Sequence, residues 1–176
     1  MSDCCSSTDT NGALASDASC SIEVNDVVTK EDVDPVVCPS CEQSGTSIGL
    51  ITVKSMLQPN ALAELDPKQE FRFCASPSCE IVYFGTKGQH FRLKNLRRAV
   101  FQKSQDEQVE VCYCFGWNRI RIKTELEEDG QSTAVSSISA HIKAGRCACE
   151  INNPQGSCCL GNVAKVVKEV RESLYG

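Results

Sequence analysis

The 176 residues are 41% hydrophobic but only 6% aromatic, enough for one ordinary domain or two small ones with thin cores. Thirteen cysteines are the obvious reinforcement for such cores. A formal net charge of -5 argues against bulk nucleic-acid binding, which needs a surface that neutralises phosphates, so no nucleic-acid partner is expected.

Met1 to Lys30 has neither a basic start nor a continuous apolar run, and no later segment approaches a membrane-spanning length. The expected setting is cytoplasmic, without membrane insertion. There glutathione keeps thiols reduced, and dense cysteines point to metal rather than disulfides. Residues 1–34 are rich in Ser, Asp, Thr and Ala, and are read as a disordered tail because they bury too little apolar surface to offset the entropy of ordering. Cys4, Cys5 and Cys20 lie in it, as incidental thiols or as an arm that captures a soft metal ion.

Order is expected from Asp34-Pro35-Val36-Val37, leading into Cys38-Pro39-Ser40-Cys41. Leu50 to Val53 reads as a short strand and Asn60 to Leu65 as a short helix after Pro59. Glu70 to Cys74 and Glu80 to Phe84 are aromatic and β-branched, and Ala75-Ser76-Pro77-Ser78 between them predicts a hairpin. Cys38-x2-Cys41 and Cys74-x4-Cys79 then supply two close thiol pairs bracketed by strands or turns, as a zinc ribbon requires. Four thiolates leave no open coordination position, so this zinc would be structural. Lys87 to Lys103 carries Lys87, Arg92, Lys94, Arg97, Arg98 and Lys103, and is read as a solvated linker able to dock an acidic redox partner.

Cys112-Tyr113-Cys114 opens the last third. Two cysteines one residue apart do not close easily into a disulfide, but their sulfurs can address one metal centre. Thiolates select zinc, copper(I) or iron-sulfur clusters, and four cysteines in separated pairs suit a [2Fe-2S] cluster. Downstream thiols are supplied by Cys147-Ala148-Cys149 and Cys158-Cys159. Helices are expected around Trp117 to Glu128, after a Ser132 or Thr133 cap with Val135, Ile138 and Ile142 on one side, and from Val163 to Leu174. Gly145 offers a left-handed stop for the second of these. His141 is read as solvent-facing, and His90 lies in the basic stretch. Neither has an acid or nucleophile at recognisable spacing, and no catalytic triad or phosphate loop is found, so no enzymatic activity is expected.

Val111-Cys112-Tyr113-Cys114-Phe115-Gly116, the run from Cys149 through Asn153-Pro154 to Cys158-Cys159-Leu160-Gly161, and the set Cys38, Cys41, Phe73-Cys74, Cys79 and Val82-Tyr83-Phe84 resemble the N-terminal module of CopZ-type copper chaperones. That module joins a zinc domain to a [2Fe-2S] domain similar to bacterioferritin-associated ferredoxin, and the resemblance spans roughly residues 35–172. It implies an α+β chain: a zinc-ribbon-like β domain over 35–104, ending in the basic linker, then a small helical [2Fe-2S] domain over 105–176. It also implies Cys112 and Cys114 as the first two iron ligands, Cys149 as the third with Cys147 competing, and Cys159 as the fourth with Cys158 competing. These 176 residues contain no Met-x-Cys-x-x-Cys loop, their methionines being Met1 and Met56, so the separate copper-transfer domain of full-length relatives is not expected here. The expected function is electron transfer and handling of a copper-like ion, with copper(II) reduced to copper(I) and Cu+ held transiently by Cys4, Cys5, Cys20, Cys147 or Cys158. The partner would be a redox protein or a metal transporter. Two alternatives are a redox- or metal-sensing binding module and a ferredoxin serving an iron-storage protein or reductase.

Overall fold

The computed structural model describes residues 36–176, which fall within one compact unit. The tail expected before it, with Cys4, Cys5 and Cys20, lies outside the described residues. The architecture is α+β.

A four-stranded antiparallel sheet, in the order β1-β2-β3-β4, is built from Thr46–Ile48, Phe71–Phe73, Ile81–Gly85 and His90–Arg92. Phe71 pairs with Gly85 and Phe73 with Tyr83, so the hairpin expected from the aromatic runs forms as β2 and β3. Every residue of β3 is buried, which explains its unbroken apolar run.

Between β1 and β2 the chain forms α1 (Leu50–Met56) and α2 (Pro59–Ala63). The strand expected at Leu50 to Val53 is therefore corrected to helix. Consecutive β-branched Ile51, Thr52 and Val53 suggest a strand, but Leu50, Val53, Met56 and Leu57 recur at helical spacing, and this face packs into the sheet core. Pro59 occupies the first turn of α2, where its missing N–H costs nothing.

The basic stretch read as a linker is packed structure. It contributes β4 and single 3-10 turns at Leu93–Asn95 and Phe101–Lys103, and Phe91, Leu96 and Val100 enter the core. Their burial turns the intervening charges outward, and two of these bond back onto the fold. Arg97 donates from Nε to Leu57 O at 2.6 Å, and Lys103 reaches the cysteine turn described below.

The rest of the chain carries a hairpin of β5 (Glu110–Cys112) and β6 (Trp117–Asn118), then α3 (Arg119–Asp129), α4 (Ala134–Lys143), α5 (Cys149–Asn152) and α6 (Leu160–Tyr175). The expected helix at Trp117 starts two residues later, because Asn118 is its cap and accepts from Arg121 N. The start of α4 is held from a neighbouring helix: Glu125 accepts from Thr133 N at 2.8 Å, Ser132 Oγ at 2.9 Å and Thr133 Oγ1 at 3.0 Å. These donors hold its carboxyl below the usual range, outweighing the upward push of burial. Gly145, at φ 66°, follows the end of α4 as its pattern suggests. Val163 and Val166 of α6 meet Trp117, Ile122, Leu126 and Ile138 in a second apolar core.

The two cores are joined at specific points. Helix α1 lies against α5, and buried Tyr83 donates from its hydroxyl to Pro154 O at 2.7 Å. Beside it Gly156 adopts φ 67°, and a Cβ there would stand 2.9 Å from Thr52 Oγ1. Among the described residues no helix is long and apolar enough to cross a membrane.

Tyr83→Phe keeps the packing but leaves the Pro154 carbonyl buried without its donor. A loss of about 1–3 kcal/mol is expected, read as a lower urea midpoint for the metal-loaded protein. An unchanged midpoint would show that this bond does not hold the two cores together.

Candidate metal centres

Cys38 lies at the start of a tight turn closed by its N–H on Gln43 O at 2.9 Å and by Glu42 N–H on Cys38 O at 2.9 Å. Glu42 takes φ 58°, a left-handed conformation that bends the chain back and helps present Cys41. Cys74 leaves the end of β2 with its N–H on Val82 O at 2.9 Å, and Cys79 closes the next turn with its N–H on Ser76 O at 3.3 Å. The two turns face each other. Cys38 Sγ lies 3.7 Å from Cys79 Sγ and Cys41 Sγ lies 3.6 Å from Cys74 Sγ.

All four sulfurs lie within 4.8 Å of one another, and no other group of three or more ligating side chains among the described residues is so compact. Sulfurs bonded tetrahedrally to one zinc at about 2.3 Å would stand about 3.8 Å apart, so this donor set fits one such ion. Burial pushes the Cys38 thiol up and the Cys74 thiol up to about 12, whereas the backbone N–H of Gln43 draws Cys41 down to about 7. Cys41 is also the one half-buried member of the four.

Lys103 is a residue that sequence reading missed. Its Nζ donates to Ser76 O at 2.6 Å and Cys79 O at 2.9 Å, and stands 3.8 Å from Cys74 Sγ. The ammonium favours thiolate at Cys74, against the larger effect of burial. Nothing in its local sequence sets Lys103 apart from the other basic residues.

The second cysteine set is arranged differently. Cys112 ends β5 and is 1% exposed, Cys159 immediately precedes α6 and is 2% exposed, and both lie in the second apolar core. The neighbouring Cys159 thiol brings Cys112 down to about 7, and Cys112 in turn holds Cys159 above the usual thiol range. Cys114 and Cys149 form a second, half-buried pair with sulfurs 4.0 Å apart. Burial raises Cys149 to about 12. Cys114 Sγ also accepts from Ala148 N at 3.5 Å and Asn152 Nδ2 at 3.8 Å. Of the competing neighbours, Cys158 is exposed and Cys147 half-buried.

Between Cys112 and Cys114, Tyr113 points the opposite way. Its hydroxyl accepts from Phe101 N at 2.9 Å and donates to Ala99 O at 2.8 Å. His141, read as solvent-facing, is half-buried, with its ring stacked on Phe115 at a centroid distance of 4.3 Å. His90 is exposed on β4.

Residues 35–97 match the CopZ family model described as a zinc binding domain. Copper chaperone CopZ of Archaeoglobus fulgidus is 32% identical over 152 residues, which cover 79% of this chain and 70% of that protein. The chain belongs to the CopZ family. The X-ray structure of the Archaeoglobus fulgidus CopZ N-terminal domain aligns with a TM-score of 0.62 at 28% identity, covering 74% of this chain and 97% of that one. This CopZ-family chain is thus a metal-handling protein with a zinc-binding domain.

Lys103→Met removes charged hydrogen bonds from the turn between Cys74 and Cys79. A loss of about 2 kcal/mol is expected in urea unfolding of the zinc-loaded protein, together with faster zinc transfer to a chromophoric chelator. Unchanged stability and transfer rate would reduce Lys103 to a surface charge.

Proposed function

We propose that this chain handles copper-like soft metal ions with the help of two inorganic centres. Cys38, Cys41, Cys74 and Cys79 would hold a structural zinc, and Cys112, Cys114, Cys149 and Cys159 a [2Fe-2S] cluster. The observation that carries the reading is the contrast between one compact group of four sulfurs and a second set in which Cys114 and Cys149 lie 4.0 Å apart while Cys112 and Cys159 are buried in the second core. A single ion wants four sulfurs around one point, whereas a two-iron cluster wants two thiolates at each end. The resemblance to the CopZ module supports the same division, with the zinc part over 35–104 and the cluster part over 105–176.

When bound, the cluster supplies a one-electron couple, the equivalent that turns copper(II) into the copper(I) that thiolates prefer. The chain's own residues do the rest. Trp117, Ile122 and Val163 keep water from Cys112 and Cys159, and the start of α6 presents the positive end of its dipole to Cys159. Among the described residues, exposed Cys158 and half-buried Cys147 are the spare thiols available to hold copper(I). In this reading the protein is no enzyme, works in the cytoplasm, and exchanges electrons or copper with a redox protein or metal transporter.

The test is an anaerobic titration of copper(II) into the dithionite-reduced full chain freed of excess reductant. One electron per copper should reappear as the oxidised visible spectrum. Cys149→Ser and Cys159→Ser should lack that spectrum, while Cys147→Ser and Cys158→Ser keep it. A reduced spectrum unmoved by copper(II) removes the reduction step, and loss of colour in C147S or C158S reassigns the ligands.

A further inference from the structure

The two sulfur pairs of the second set sit in unlike surroundings. Cys112 and Cys159 are buried among Val111, Trp117, Ile122 and Val163. Cys114 and Cys149 are half-buried, and Cys114 is the sulfur that receives a side-chain amide. The donor belongs to Asn152, at the last position of α5, whose first residue is Cys149. Three residues along one helical turn bring both side chains to the same side. The N–H of Ala148, just before α5, reaches the same Cys114 sulfur. One turn of helix therefore supplies a thiol and two hydrogen-bond donors at a single spot.

A hydrogen bond to a coordinating sulfur draws electron density from it and stabilises the more negative state of the centre it serves. Such donors and solvent exposure are among the factors that set iron-sulfur potentials. The backbone donor, the Ala148 N–H on Cys114, is fixed by the fold. The Asn152 amide is a choice of side chain. Solvent reaches this half-buried pair, yet Asn152 has turned its amide to sulfur.

We infer that Asn152, acting through Cys114, sets the reduction potential of the centre held by the second cysteine set, holding it above the value that the buried thiolates alone would give. The inference rests on the [2Fe-2S] reading above. The step concerned is uptake of one electron from a reduced partner protein, one ferric ion becoming ferrous, with no bond made or broken.

The test is an EPR-monitored redox titration of the full-length, anaerobically isolated protein, with iron, sulfide and zinc contents measured alongside. Asn152→Leu should weaken electron affinity about tenfold, about 59 mV more negative for a one-electron couple. Asn152→Gln, which keeps an amide donor, should shift it less. Asn152→Asp, which replaces the donor by a charged acceptor of the same shape, should shift it further and covers the case in which the leucine variant assembles no cluster. A merely structural role would lower iron content and the urea midpoint while the remaining centres titrate at the wild-type potential, and that result overturns the inference. Wild-type protein without iron would overturn the underlying reading instead, a distinct outcome.

Discussion

Thiolates crowded into a protein interior repel one another and lose their hydration, so buried cysteines stay protonated unless a cation stands among them. This constraint governs both cysteine sets. Cys38, Cys74 and Cys79 are almost fully buried, with sulfurs close enough to share one ion, and burial holds Cys38 and Cys74 in the protonated form until a metal displaces the protons. Metal binding is then coupled to folding, because the gathered site has no counterpart in the unfolded chain. Apparent binding energies of about 10–16 kcal/mol for structural zinc rival the stability of a whole domain. Such a site can organise a small sheet whose apolar core is modest.

The same short segment serves both sets. From Ala99 to Lys103 the chain gives Lys103 to the Cys74–Cys79 turn, two backbone groups to the Tyr113 hydroxyl between Cys112 and Cys114, and Gln102 to Gln155 at 2.5 Å. Gln155 in turn donates to Cys158 O at 3.1 Å, in the loop that delivers Cys159. Arg119 lies over the Phe101 ring at 4.4 Å and ties the start of α3 to the same place. The stretch that composition marks as a charged connector is thus the framework against which both cysteine sets are positioned.

What the sequence discloses follows from where each signal is encoded. The α6 face, the β2–β3 hairpin and the Gly145 stop are local patterns, and they are legible. At Leu50 to Val53 two local signals conflict: β-branched residues favour a strand, and the packed spacing of Val53, Met56 and Leu57 wins because it buries the helix against the sheet. The basic stretch hides Phe91, Leu96 and Val100 among charges, so average polarity conceals a core-forming period. The compact group of Cys38, Cys41, Cys74 and Cys79 is legible because its two spacings are turn-length. Lys103, Tyr113 and Asn152 are not, since each acts on a partner that only the fold brings near. His141 escapes for the same reason: the ring it stacks on is 26 residues away in sequence.

We propose that a closed four-sulfur site and a second, looser four-sulfur set hold different inorganic centres in one chain. The direct measurement is quantitative zinc, iron and acid-labile sulfide analysis of freshly isolated, oxygen-free full-length protein, with its visible spectrum before and after dithionite. One zinc, two irons and two sulfides per chain are expected, with colour that bleaches on reduction. Colourless protein holding two zinc ions and no iron, after isolation without air, would contradict it.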